Sequence, residues 1–254
     1  MKKIVTAQVL RQQMLAPDVK KIELYAPAIA EQAEPGQFVT VAVTDQVAPL
    51  LRRPFGVADV NKEAGSITLV YRLLGEATHL LSELKPKAEV NLMGPLGHGF
   101  SLAAKNPLLV GGGMGLAPLH FLAGTFGSRP VDVLMGGKTS SELFWQERFQ
   151  DKAEHIFLTT DDGTAGTKGT VLAKLPELLA TGSYDCVYVC GPVPMMKAVV
   201  EEVNKTTIPC QVSLEKYMAC GLGACLSCSC GGIGKRLKVC TDGPVFWAQE
   251  VAEW

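Results

Sequence analysis

The chain reads as three joined modules: an antiparallel β-barrel, a domain built on a parallel α/β sheet, and a small C-terminal β-type module crowded with cysteines. Three observations predict this. Short apolar stretches broken by Pro, Gly, Asp or Asn fill the first hundred or so residues. Strand and helix patterns then alternate five times, which implies parallel strands with helices on both faces. Last, Cys220-Gly-Leu-Gly-Ala-Cys225-Leu-Ser-Cys228 gathers three thiols on one short loop, with Cys240 twelve residues on. The implied boundaries are residues 1–101, 102–210 and 211–254.

In the first module the expected strands are Ile4–Leu10, Val19–Tyr25, Phe38–Val43, Phe55–Val60, Ile67–Tyr71 and Glu89–Met93. Residues 77, 80, 81 and 84 are apolar at helical spacing, so one short helix is expected over Glu76–Lys85. In the second, a buried strand at Pro107–Val110 runs into Gly111-Gly112-Gly113-Met114-Gly115 and a helix over Leu116–Thr125. Strands follow at Val131–Met135, His155–Leu158, Cys186–Val189 and Cys210–Leu214, with helices near Ser141–Phe149, Val171–Leu179 and Pro194–Asn204. This is the grammar of a Rossmann-like fold.

Composition narrows the function. Of 254 residues 47% are hydrophobic and 19% charged, enough to build a core and too apolar for disorder. A formal net charge of −1 argues against nucleic-acid binding. The N-terminus alternates polar with apolar residues, unlike a signal peptide, and no apolar run reaches membrane-spanning length. Eight cysteines, four of them between 220 and 230, do not read as a secreted disulfide framework, so a cytoplasmic location is expected.

The cysteine spacing, C-x4-C-x2-C with a distant fourth, is the layout of plant-type [2Fe–2S] sites. Gly221 and Gly223 let the loop bend tightly and bring amide N–H groups towards sulfur. Zinc also accepts four thiolates, usually from two C-x2-C pairs, and only Cys225 and Cys228 form such a pair here. A thioredoxin-like reading leaves Cys220 and Cys240 idle. Cys230 sits two residues beyond Cys228, and spacing favours Cys228 as the ligand.

Gly111, Gly112, Gly113 and Gly115 stand where a strand opens into a helix, a place suited to a pyrophosphate, although such a turn also serves merely to reverse the chain. Cys190-Gly191-Pro192 follows a strand at the carboxyl edge of the sheet, where open α/β sheets bind ligands; a plain tight turn is the bland alternative. Asp161 and Asp162 end another strand, where carboxylates favour NAD over NADP, or simply make a surface turn. Arg52-Arg53-Pro54-Phe55-Gly56 in the barrel offers a guanidinium fork for phosphate beside an aromatic ring, while paired arginines are more often solvated. The four histidines form no recognisable catalytic constellation.

The order of these motifs, from Arg53-Pro-Phe-Gly56 through the glycine-rich turn and Cys-Gly-Pro to the cysteine loop, resembles the ferredoxin–NADP reductase superfamily. Tyr217 to Cys228, with Lys238-Val-Cys240-Thr-Asp-Gly-Pro-Val-Phe246, makes the chain similar to the electron-transfer subunits of NAD-dependent dihydroorotate dehydrogenases. That resemblance implies FAD at Arg53, Pro54, Phe55, Gly56, Val70, Tyr71, Arg72, Ala77 and Thr78, and NAD at the glycine-rich and Cys-Gly-Pro turns. It implies a [2Fe-2S] cluster on Cys220, Cys225, Cys228 and Cys240, with Cys230 an extra and no catalytic acid or base. Gly56 stands where the family often has serine, which puts a side-chain hydrogen bond there in doubt. The implied partner is an FMN-containing catalytic subunit, two copies of each forming a heterotetramer. Electrons from it would pass by the cluster and FAD to NAD+ in pyrimidine synthesis. Length agrees: a TIM barrel of about 250 residues has no room beside these modules. A differently partnered NAD(P)H reductase and a zinc-bearing interaction module remain the alternatives.

Overall fold

The computed structural model describes residues 2–44, 46 and 48–254. Met1, Asp45 and Val47, within the expected barrel span, lie outside the described residues. Strands β1 (Lys3–Ala16), β2 (Val19–Tyr25), β3 (Phe38–Ala42), β4 (Arg53–Asn61), β5 (Ser66–Arg72) and β6 (Glu89–Leu96) close an antiparallel barrel in the order β1-β2-β5-β4-β3-β6. Alternation decides which side chains go inside. Ala7 and Val9, Ile22 and Leu24, Val39 and Val41, and Ile67 and Leu69 fill the interior. Each of these valine, leucine and isoleucine side chains contributes about 1.5–3 kcal/mol on burial. A short helix α1 (Pro27–Ala30) follows β2, and helix α2 (Glu76–Glu83), expected from its spacing, buries Ala77 and Leu81.

β1 runs well past the expected end at Leu10 because its polar residues find partners. Gln12 Nε2 donates to the carbonyls of Leu81 (3.0 Å) and Leu84 (2.9 Å), and Tyr71 OH donates to Gln12 Oε1 at 2.8 Å. Hydrogen bonds replace the missing apolar alternation.

The second unit comprises β7 (Pro107–Gly112), α3 (Leu116–Thr125), β8 (Asp132–Gly137), α4 (Gln146–Phe149), β9 (His155–Thr160), β10 (Thr167–Lys168), α5 (Leu175–Thr181), β11 (Cys186–Cys190), α6 (Val193–Val203) and β12 (Cys210–Ser213). Two expected helices are shorter. Between 140 and 149 a 3-10 turn at Ser140–Glu142 precedes α4, because Leu143, Trp145 and Phe149 are all buried, a pattern one helix face does not supply. Near 171 a 3-10 turn at Val171–Ala173 gives way to α5, which restarts around Pro176, a residue suited to a first turn.

The cysteine-rich segment adds β13 (Ser229–Gly232), β14 (Lys235–Lys238), β15 (Val245–Trp247) and β16 (Val251–Glu253). Strands β14, β13 and β16 form a small antiparallel sheet. β15 does not join them. It pairs antiparallel with β12, Ser213 opposite Val245 and Gln211 opposite Trp247. Among the described residues the α/β sheet is therefore seven-stranded, β10-β9-β8-β7-β11-β12-β15, and parallel except at β15. Residues 245–247, inside the expected third module, complete the sheet of the second, and Phe246 packs in the core.

The barrel is fixed to the sheet unit through α3. His120 Nδ1 lies 2.9 Å from the Ala58 carbonyl of β4, and its Nε2 lies 3.2 Å from that of Arg148. Lys152 Nζ pairs with Asp59 at 3.1 Å. Burial, then the Lys152 charge, lowers the pKa of His120. Among the described residues no helix is long and apolar enough to cross a membrane.

Candidate functional site

Strand order reverses between β7 and β11, which lie side by side with Gly111 opposite Cys190. Crevices form at such switch points, outside the carboxyl ends of the strands. The glycine-rich and Cys-Gly-Pro turns, 75 residues apart in sequence, meet there. A Cβ at Gly115 would lie 2.4 Å from the carbonyl carbon and oxygen of Cys190, and one at Gly191 2.6 Å from Met195 Cε. Gly113 differs: its φ is +55° and nothing stands within 4 Å of its Cβ position, so the loop backbone is open on that side. Helices α3 and α6 both begin at this edge, and neither start has a side-chain capping hydrogen bond among the described residues. The Leu116 N–H is already bonded to the Gly113 and Met114 carbonyls, so it is the two positive dipole ends converging at this edge that suit an anion such as a pyrophosphate.

Beyond β8 and β9 the chain folds its own acids into turns. Glu142 accepts from the Lys138 N–H at 2.9 Å, and Asp162 accepts from the N–H and hydroxyl of Thr164. These bonds hold the Asp162 carboxyl below its ordinary range. Burial pushes the Cys190 thiol up, so it stays protonated.

On the barrel, Arg53 to Gly56 run along β4 beside β3, in the register Val41 to Arg53, Thr40 to Pro54, Val39 to Phe55 and Phe38 to Gly56. Phe55 packs on Tyr71, ring centroids 5.7 Å apart. Pro118 of α3 lies 3.9 Å from the Gly56 Cβ position, so this strand faces the opening turn of the helix that leaves the glycine-rich loop. The two expected nucleotide sites thus adjoin across this contact. Arg53 donates to the Leu51 carbonyl and makes no ion pair among the described residues, leaving a guanidinium charge for an anion. Arg72 is engaged with Asp18, Nε to Oδ2 3.0 Å. Val70 and Ala77 are buried, and Thr78 Oγ1 caps α2 by accepting from the N–H groups of Leu74 (3.0 Å) and Gly75 (3.1 Å). These three positions offer a ligand chiefly backbone.

The thiols gather in two contacting pairs. Cys225 meets Cys220, and Cys240 meets Cys228, with Cys220 also within electrostatic reach of Cys240. Positive φ at Gly221 (66°), Gly223 (83°) and Leu226 (62°) makes the loop curl, and the Leu222 N–H donates to Cys220 Sγ at 3.3 Å. Ser227, whose hydroxyl lies 3.2 Å from Cys225 Sγ, and then Cys220 pull the Cys225 thiol down to about 6, towards the thiolate that metal ligation requires. Cys240 is pushed up to about 11 by burial and by Cys228. Among the described residues no three His, Cys, Asp or Glu side chains gather tightly enough for a single ion. Two thiol pairs fit a centre of two irons, one pair to each. Cys230, opposite Leu237 in the small sheet, is buried and belongs to neither pair. Sequence reasoning missed Ser227, although it stands inside the motif.

The loop leans on the barrel. A Cβ at Gly221 would lie 3.3 Å from Leu96 Cδ1, 3.4 Å from Thr40 Cγ2 and 3.5 Å from Met93 Cε. Thr40 sits on β3 directly opposite Pro54, so one strand separates the cysteine loop from the Arg53–Gly56 segment.

Comparison with known proteins agrees with this layout. The family model described as the iron-sulfur cluster binding domain of dihydroorotate dehydrogenase B matches residues 215–252, and the oxidoreductase NAD-binding domain matches 109–201. Relatives named dihydroorotate dehydrogenase B (NAD(+)), electron transfer subunit, are 39% identical in Geobacillus thermodenitrificans, covering 96% of each chain. In Caldanaerobacter subterraneus the identity is 40%, over 96% of this chain and 97% of the relative. Among solved structures, a chain of the NADH-dependent reduced ferredoxin–NADP oxidoreductase superposes with a TM-score of 0.88 at 29% identity, covering 97% of this chain and 90% of that one. A ferredoxin–NADP+ reductase from Neisseria gonorrhoeae, at 16% identity, shares the fold with a TM-score of 0.64, over 81% of this chain and 92% of its own. The chain belongs to the family of electron-transfer subunits of NAD-dependent dihydroorotate dehydrogenase B.

Proposed function

We propose that this chain delivers electrons taken from dihydroorotate by a partner subunit to NAD+, as a step of pyrimidine synthesis. The single observation that carries this reading is the contact of the cysteine loop with the barrel wall, one strand away from Arg53–Gly56. When bound, FAD exchanges electron pairs with NAD and single electrons with an iron–sulfur centre, so it belongs between them. The chain supplies position and charge. Cys220, Cys225, Cys228 and Cys240 hold the cluster, Arg53 sets its guanidinium against the FAD phosphates, and the uncapped starts of α3 and α6 receive the NAD pyrophosphate.

The partner is a catalytic subunit carrying FMN, in a complex of two copies of each chain. Support comes from the surface around the cluster. Cys225 is exposed, and the same cysteine-rich segment exposes Tyr217 (95%), Ile233 (71%) and Leu226 (61%), apolar surface that a neighbouring chain would cover. Co-expression with a gene for such a catalytic subunit tests the proposal. A co-purifying complex that reduces NAD+ with dihydroorotate is expected. A chain that stays alone and serves some other electron acceptor contradicts it.

A further inference from the structure

Thr40 occupies the wall between the two redox sites and carries an unexplained polar atom. Its neighbours Val39 and Val41 point into the barrel, so Thr40 points outward with Phe38, which packs in the same core cluster as Leu96, Cys228 and Cys240. Its methyl lies 3.4 Å from the Cβ position of Gly221, inside the loop that joins Cys220 to Cys225. The residue is 2% exposed, and its hydroxyl oxygen is buried without a hydrogen-bond partner among the described residues.

An orphaned buried hydroxyl costs about 1–3 kcal/mol, and valine would fill the same space without that cost. The side chain therefore calls for an acceptor that the protein does not supply. Opposite it in the ladder stands Pro54, which offers no side-chain acceptor. The loop that carries Cys220 and Cys225 packs on this same side, Gly221 against the Thr40 methyl, and its sulfurs become anionic acceptors once a cluster is held. We propose that Thr40 donates its hydroxyl hydrogen bond to a sulfur of the bound iron–sulfur centre and so raises that centre's reduction potential. This rests on the cluster assignment made above. Donors to sulfur stabilise the reduced, more negative cluster, and the proton stays on threonine while one electron arrives and leaves.

The test uses the full chain, purified anaerobically with its cofactors, and reads the cluster's midpoint potential and the EPR spectrum of its reduced form. Thr40→Val is expected to lower the ratio of reduced to oxidised cluster at fixed ambient potential about tenfold, or about 59 mV for a one-electron couple. Thr40→Ser keeps the hydroxyl and should stay near the parent. A Thr40→Val protein that keeps its two irons at an unchanged potential overturns the proposal. So does a shift confined to FAD, which would give the hydroxyl to the flavin. Should Thr40→Val fail to fold, Thr40→Ala, with the parent as reference, still decides. Pulsed EPR in D2O should find an exchangeable deuteron at hydrogen-bond range of the reduced cluster that is absent in Thr40→Ala. Unaltered exchangeable-deuteron couplings overturn the proposal. A parent chain that never holds iron overturns the cluster assignment and this inference together.

Discussion

Cys228 and Cys230 are both buried thiols two residues apart, yet only one pairs with Cys240. Cys228 ends the tight loop, while Cys230 is already a ladder residue of β13 facing the core. Cys228→Ser should abolish the cluster, and Cys230→Ser should leave it intact. Iron and acid-labile sulfide analysis of anaerobic preparations checks this, with about two irons per chain expected for Cys230→Ser. Spacing alone favoured Cys228, because a loop that wraps two irons must place its ligands within a few residues. The Thr40 contact was not legible in the same way, since it joins positions 181 residues apart through packing.

At the level of elements, the glycine-rich and Cys-Gly-Pro turns meet where β7 lies beside β11, and Gly115 is where that junction tolerates least. Any Cβ there strikes the Cys190 backbone at 2.4 Å, and backbone in a buried strand has little room to move. Gly115→Ala should destabilise the fold by about 1–3 kcal/mol and weaken NADH binding. Thermal unfolding and NADH titration read the two effects separately. That both turns would lie at the carboxyl edge of one parallel sheet followed from strand–helix alternation. The edge strand β15 did not, for Val245–Trp247 is a three-residue apolar run that suits a core, a partner surface or a sheet equally well. Its pairing is decided by the chain's return to β12. The division of the expected helix near residue 145 was hidden too, because Trp145 packs beside His120, a partner that only the fold supplies.

Across the whole molecule, His120 is the bolt between barrel and sheet unit. Burial and Lys152 lower its folded pKa below the ordinary value, so the unfolded chain binds the proton first as pH falls. Its contribution to stability is complete above about pH 6.5 and is lost as pH falls from there towards the depressed folded value. His155, raised by its hydrogen bond to Asp132, acts in the opposite sense and loses its contribution as pH rises. Urea unfolding between pH 7.5 and 5 should therefore show a slope that flattens in His120→Gln and steepens in His155→Gln. A steep acid slope that survives His120→Gln would assign the bolt to another group.

The central claim is that nucleotide crevice, barrel wall and thiol loop form one line of electron transfer within this chain. Anaerobic titration of the purified chain with NADH, followed by flavin absorbance and low-temperature EPR, tests it most directly. Bleaching of the flavin should be accompanied by the signal of a reduced [2Fe–2S] cluster, with both complete at about one and a half NADH per chain, since FAD takes two electrons and the cluster one. Flavin that bleaches while an intact cluster stays oxidised, at potentials where dithionite reduces it, would contradict the account.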